Sequence, residues 1–463
     1  MAGMSDANSA HNVDADAANN SSSSTSASPI VSLLIKSTGA RVVSLAIQGI
    51  CAILATRMII GSLGFSEYGY VILVAGIPAI LSFMDLGVGA AVTNALSEGG
   101  GTDPEDFRRV INTALRTLLI ASVGVITFSL GAYAMGLWSR LLSISNSTAF
   151  NADQAVTLVL LIFAVTLPLN VGASTLLGTG RNSQLIALRM IQPPTTLLLL
   201  WLTIRAHWSA NTLPASWQLG TLITALVITF VAERSASVHL FSPIGKLMAF
   251  RPLPGTQIRK TALPMFVIML GLPIALQSDR MILSNRAGLT DVANYSVVAT
   301  IQTPLMALVA AAGLSLWPHF AHGRGRTELK TDFFQALLLF VSAGFIAGIG
   351  LLIFGPILAP FVSKGQATIG LLLFSTAAMV VLVQSAHTPA GMFLTDQAGL
   401  TFQAKTVTAM AIVNVGLSWI LAGRYGAAGP YLGTAIAIAT CQLGPTIWMA
   451  TSRFRVANPP DEE

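Results

Sequence analysis

Hydrophobic residues dominate this chain in long runs, and the few charges fall in bursts between them. No Asp, Glu, Lys or Arg occurs between Asp153 and Arg181, Arg205 and Glu233, Asp291 and Arg324, Asp332 and Lys364, Lys364 and Asp396, or Arg424 and Arg453. A helix needs about 20 apolar residues to cross a bilayer, so each of these intervals holds one span. Extended along the chain, the pattern predicts spans near 38–61, 68–92, 111–137, 154–177, 185–204, 217–233, 261–284, 295–318, 333–355, 367–389, 402–422 and 426–451. The expected fold class is therefore an all-α polytopic membrane protein of about twelve transmembrane helices.

Composition agrees, with 53% hydrophobic residues and 10% charged. A soluble domain carries about 25% charged residues. The net charge of +6 arises from basic residues near the span ends, so it is topological and gives no support to nucleic-acid binding. Arg140, Arg205, Arg286, Lys364 and Arg424 fall on one side, while a more numerous set outside the spans, among them Arg181, Arg234, Lys246, Arg324 and Arg453, falls on the other. The positive-inside rule then places both termini in the cytoplasm. The only cysteines, Cys51 and Cys441, lie in apolar runs and form no metal or disulfide pattern. No cofactor is expected.

One sequence is used twice. RMIIGSLGFSEYGY at 57–70 is echoed by RMILSNRAGLTDVANY at 280–295, each at the end of an apolar run. Six spans separate the copies, which predicts two parallel six-helix lobes around a central cavity, related by an axis along the membrane normal. WQLGTLITAL from Trp217 and PYLGTAIAIA from Pro430 are a shorter echo at the last span of each half. The expected divisions are a polar cytoplasmic tail and lead-in (1–37), an N-terminal lobe (38–233), a Pro- and Lys/Arg-bearing cytoplasmic linker (234–260), a C-terminal lobe (261–451) and a short tail (452–463).

Three segments carry a family resemblance: LGFSEYGYVILVAGIPAILSFMDLGVGAAVTNALSE (63–98), SDRMILSNRAGLTDVANYSVV (278–298) and RYGAAGPYLGTAIA (424–437). They resemble the oligosaccharide flippases of the multidrug/oligosaccharidyl-lipid/polysaccharide exporter superfamily, which include O-antigen and exopolysaccharide unit translocases. The resemblance runs from about residue 38 to 451. It implies a bacterial inner-membrane protein that moves undecaprenyl-pyrophosphate-linked oligosaccharide to the periplasmic leaflet by alternating access. Its implied partners are that lipid-linked substrate, the bilayer and other polysaccharide-assembly membrane proteins.

Such a substrate presents a pyrophosphate and many hydroxyls, so its path calls for intramembrane cations facing water or protein. The candidate substrate-binding residues are Arg41, Arg57, Asp85, Arg116, Asp279 and Arg280. An intramembrane charge costs at least ~2.5–3.5 kcal/mol on insertion scales, so it is not left facing lipid. Each candidate has a plainer reading. Arg57 can snorkel to the outer interface, Arg41 and Arg116 can anchor the inner one, and Asp85 can cap a helix. Arg280 can join a structural ion pair; its neighbour Asp279 points about 100° away on a helix and neutralises it poorly. Pro78, Pro193, Pro194, Pro264 and Pro273 interrupt spans and predict kinks.

Three functional classes remain: a lipid-linked oligosaccharide flippase, an ion-coupled drug or small-molecule antiporter of the same superfamily, and a membrane polymerase or ligase. Arginines predominate among the intramembrane charges, which favours an anionic substrate and the first class. A non-enzymatic role is expected, because no clustered acid/base groups lie on the short outer connections. Coupling to H+ or Na+ is left open by Asp85 and Asp279.

Overall fold

The computed structural model describes residues 29–85, 87–98, 104–144, 150–236, 258–322 and 328–457. The first half of the chain forms α1 (Pro29–Leu63), α2 (Phe65–Ile80), α3 (Val88–Glu98), α4 (Pro104–Ala134), α5 (Leu137–Leu141), α6 (Ala152–Thr166), α7 (Asn170–Gly178), α8 (Asn182–Arg189), α9 (Gln192–Arg205) and α10 (Leu213–Ala236). The second half forms α11 (Ile258–Gln277), α12 (Asp279–Arg286), α13 (Leu289–His322), α14 (Leu329–Val362), α15 (Leu371–Phe393), α16 (Gln397–Tyr425), α17 (Ala428–Ala437) and α18 (Gly444–Ala457). Eleven segments among the described residues are helical, long and apolar enough to cross a membrane. The remaining expected span, 261–284, is the α11–α12 pair, broken at Ser278.

Several breaks follow from proline chemistry, since proline lacks a backbone donor and its ring crowds the preceding turn. Pro78 sits near the end of α2, which tightens at once into a 3-10 turn, Leu81–Asp85. The single span expected over 68–92 is thus divided by this turn from α3. Pro193 and Pro194 occupy the first turn of α9, where their missing donors cost nothing. At the other extreme, α13 and α14 have 34 residues each. At 1.5 Å per residue each is about 50 Å long, more than the ~30 Å hydrocarbon core requires.

Large apolar side chains cover the outside of the bundle. Leu338, Ile346, Ile357 and Ile412 are 66–70% exposed, which in water would be an aggregation surface and in lipid is the natural contact. The chain is a multi-pass membrane protein.

Inside, the apolar clusters divide the two ends of the bundle. Where α1 turns into α2 at Gly64, one cluster joins Ile59, Tyr68 and Val74 from the first half to Leu283, Val297 and Phe374 from the second. At the opposite end the clusters separate. Ile111, Leu118 and Ile228 pack only with first-half residues. Phe320, Phe333 and Phe393, with ring centroids 5.2–6.3 Å apart, fall in a cluster whose described members all belong to the second half.

The shared cluster depends on close approach of α2 to α13. Gly69 lies against the start of α13, where an added Cβ would sit 3.2 Å from the Ala293 amide nitrogen and closer still to the Leu289 carbonyl oxygen. Backbone cannot yield there as a flexible side chain would, and overpacking of this kind costs about 1–3 kcal/mol. Gly69→Ala is therefore expected to lower the melting temperature of the detergent-solubilised protein. Gly124→Ala, whose Cβ would meet nothing, is expected to leave it unchanged; equal melting of the two variants would contradict this packing.

Candidate substrate cavity

The helix break at Ser278 sets the site. It starts α12 afresh at Asp279 and Arg280, and the turn of about 100° between neighbours sends their side chains to different surroundings. Asp279 faces α16 and α17; Arg280 faces α2.

Arg280 lines a cavity of about 230 Å³ between the two halves of the chain, bounded by α1, α2, α10, α11, α12 and α13. Thr56, Tyr68, Gln277, Ser296, Thr300 and Thr303 contribute hydroxyl and amide groups, and Trp217 an aromatic face. Among the described lining residues Arg280 carries the only charge, and no carboxylate is present. Arg280 Nε and Ser296 Oγ are buried with no hydrogen-bond partner among the described residues. Gly76 gives the guanidinium its room: a Cβ there would lie 3.2 Å from Arg280 Nη1. A cation with an unpaired Nε donor, ringed by hydroxyls, is suited to an anion with several acceptor oxygens. The volume lies below the ~300–1,000 Å³ typical of sites for drug-sized ligands. It can hold a head group, and a larger ligand must extend beyond it.

Asp279 is 2% exposed and accepts hydrogen bonds from Tyr295 (3.0 Å), Ser418 (3.2 Å) and Thr434 (3.4 Å). Asn414, fully buried, donates to the Ala275 carbonyl at 2.6 Å and accepts from Thr434 at 3.0 Å. Tyr295 stacks on Tyr431 with centroids 4.4 Å apart, and the Tyr431 hydroxyl is buried without a partner among the described residues. The repeat shows in both hairpins. A tyrosine of the second helix reaches the residue just before the arginine, Tyr68 to Thr56 at 3.3 Å and Tyr295 to Asp279. Only the second copy has a carboxylate in that place.

The other candidates lie apart from this centre. Arg57 sits on the seam between α1 and α14, donating to the Phe361 carbonyl with its guanidinium 4.3 Å above the Phe361 ring. The repeat therefore does not bring Arg57 and Arg280 together. Asp85 ends the 3-10 turn, and its Oδ2 accepts from the Gly89 amide at 3.1 Å, bridging into α3. Arg116 lies on α4 between the core positions Leu115 and Leu118 and does not line the cavity. Arg41 falls within α1, and its side chain lies outside the described residues. The sequence reading missed Gln277, Trp217, Asn414, Ser418, Tyr431 and Thr434 as site residues. A signal existed for two pairs: Asn414 and Ser418 are four apart on one helical face, and Tyr431 and Thr434 fall in the PYLGTAIAIA echo.

Removing the Asp279 acceptor would orphan the Tyr295 hydroxyl of α13, at about 1–3 kcal/mol, and leave Ser418 of α16 and Thr434 of α17 with Asn414 Oδ1 as their shared acceptor. Asp279→Ala is expected to melt below Asp279→Asn in detergent, and both below the parent, because the amide keeps one acceptor oxygen. An Ala variant as stable as the parent would contradict a coherent cluster.

The family described as polysaccharide biosynthesis protein matches residues 35–323. No curated protein sequence matches the chain. Among solved structures the chain is similar to an inward-facing multidrug resistance MATE family transporter of the MOP superfamily, at 16% identity and a TM-score of 0.65, covering 91% of this chain and 100% of that one. The outward-facing form of such a transporter gives 14% identity and 0.61, covering 93% and 96%. A MOP superfamily transporter from Pyrococcus furiosus, described as having a binding pocket of reverse polarity, gives 15% and 0.62, covering 92% and 96%. At these identities the likeness is one of fold.

Proposed function

The chain belongs to the polysaccharide biosynthesis protein family, and from that premise we propose that it is a flippase for lipid-linked oligosaccharide. Its substrate on this reading is an undecaprenyl-pyrophosphate-linked unit for O-antigen, capsule or exopolysaccharide, carried from the cytoplasmic to the periplasmic leaflet. The observation that carries the reading is the cavity between the two halves, with Arg280 as its charge and no carboxylate among its described lining residues. A transporter of cationic drugs would have to bring its substrate against the Arg280 guanidinium in a cavity with no carboxylate among its described lining residues, an arrangement that Coulomb repulsion opposes. An arginine fork matches phosphate oxygens in two parallel hydrogen bonds, and the hydroxyls and Trp217 suit a sugar ring beside them.

In mechanism, Arg280 takes the pyrophosphate while the polyprenyl tail stays in the bilayer and the glycan extends through the cavity mouth. The protein exchanges access between leaflets and makes or breaks no covalent bond, so it is a transporter rather than an enzyme. Asp279, one residue away, is the proposed site for a coupling H+ or Na+. Its neutralisation would alter the three hydroxyls that tie α12 to α13, α16 and α17, and through α12 the position of Arg280. On this reading the end opposite Gly64 and both termini face the cytoplasm of a bacterial inner membrane, an orientation that the excess of Lys and Arg at that end supports.

The test is the leaflet location of lipid-linked oligosaccharide in cells lacking the protein, read with a periplasmic glycan-modifying enzyme. Units shielded on the cytoplasmic side and released by the parent gene support the reading; units reaching the periplasm normally overturn it. A charged hydrogen-bonded contact contributes about 1.5–3 kcal/mol, so Arg280→Ala is expected to lower export roughly ten- to hundredfold. Arg280→Lys, keeping charge and losing the fork, is expected to retain part of it.

A further inference from the structure

Beside the apolar cluster that both halves share, specific polar contacts join them at the Gly64 end. Asn285, near the end of α12, donates to the Leu141 carbonyl at 2.9 Å and accepts from Ser143 Oγ at 2.5 Å. Arg57 donates to the Phe361 carbonyl across the α1–α14 seam. Lys364 lies over Gly61, where an added Cβ would collide with its side chain. Ser143 and Lys364 are two of the three described non-glycine residues with positive φ, at 52° and 53°. Each is the left-handed residue that closes a helix C-terminus, where Ile144 N–H donates to the Ser139 carbonyl at 3.0 Å and Gly365 N–H to the Pro360 carbonyl at 2.8 Å. From these two helix ends Ser143 and Lys364 each reach the other half of the chain.

The cavity lies directly beneath this seam. Its lining residues Thr56, Tyr68 and Ser296 are 1–2% exposed. Ala79 and Thr303, further from Gly64 along α2 and α13, are exposed. At that far end the apolar core has already divided into separate first-half and second-half clusters. The bundle is thus closed over the cavity at the Gly64 end, while toward the other end the described apolar core includes separate first-half and second-half clusters and the halves still meet where α11 passes the Leu81–Asp85 turn.

We propose that Ser143, Asn285 and the Leu141 carbonyl form the latch of a gate, with Arg57–Phe361 as its second point, and that the latch must break before the cavity opens at the Gly64 end. Its hydrogen bonds suit that role. Two polar contacts at a rim, outside the shared apolar cluster, exchange for water bonds at small net cost.

The proposal is tested in a background with Cys51 and Cys441 replaced by Ser, and its first readout is independent of the transported molecule. A reporter cysteine, Thr300→Cys, is labelled with an impermeant maleimide applied from the Gly64 side. Little labelling is expected with Asn285 intact, and several-fold more with Asn285→Ala. Unchanged labelling would overturn the latch. The second readout uses Ser143→Cys/Asn285→Cys in membrane vesicles. Oxidation, or the shortest bifunctional thiol reagent, is expected to link the two residues, to keep the cavity inaccessible from that side and to stop export, with reductant restoring both in the same protein. Failure to cross-link, or full access while cross-linked, would overturn the proposal. If access is blocked while lipid-linked sugars still reach the far leaflet, the gate stands and the flippase reading fails.

Discussion

An arginine that a helix carries into hydrocarbon must meet water or protein, and the rest of this structure can be read from how Arg280 satisfies that constraint. Facing lipid would cost at least ~2.5–3.5 kcal/mol. The break at Ser278 resets the helix so that Arg280 turns toward α2, and Gly76 leaves the space for its guanidinium. Gly69, two turns earlier on α2, lets that helix lie against α13 closely enough to roof the cavity. Hydroxyls from α1 and α13 supply the polarity that an apolar wall could not. The same reset buries Asp279 on the opposite side, where hydroxyls from three helices replace the water it has lost.

That shared origin links two features a mere catalogue would separate. Asp279 and Arg280 are consecutive on a short helix, so α12 cannot move relative to α16 and α17 without moving the cation in the cavity. The hydrogen bonds of Asp279 fix α12 in this arrangement, and Asn285 ties the far end of the same helix to the first half of the chain. An eight-residue helix held at both ends by polar contacts, with the cavity's cation between them, has the form of a lever. Such contacts have alternative partners in water, which lets a packed interface have two arrangements.

Much of the fold was legible in the sequence because membrane burial writes itself into long charge-free intervals. The divergence of Asp279 from Arg280 was legible too, from helical geometry alone. The fate of Arg57 was not. A repeat fixes depth along the membrane, but not the helix that packs alongside, and α14 runs far enough to present Phe361 to Arg57. Asn414, Ser418 and Thr434 come within reach of Asp279 only through packing of elements more than 130 residues apart, which periodicity in one helix does not reveal. The second span was read as continuous because its apolar run is continuous; Pro78 and the turn to Asp85 divide it. Asp85 was legible as a cap, since Gly89 follows it at the spacing a carboxylate can reach.

The account rests on a cavity whose charge selects an anion, and native mass spectrometry of the purified protein tests this most directly. The protein would be offered a polyprenyl-pyrophosphate sugar, the same lipid without its phosphates, and a cationic amphiphile of similar size. The account predicts that the pyrophosphate lipid is retained in preference to the other two, and that Arg280→Ala removes the preference while Arg57→Ala leaves it. Equal retention of all three, or capture of the cation by the parent protein, would contradict it.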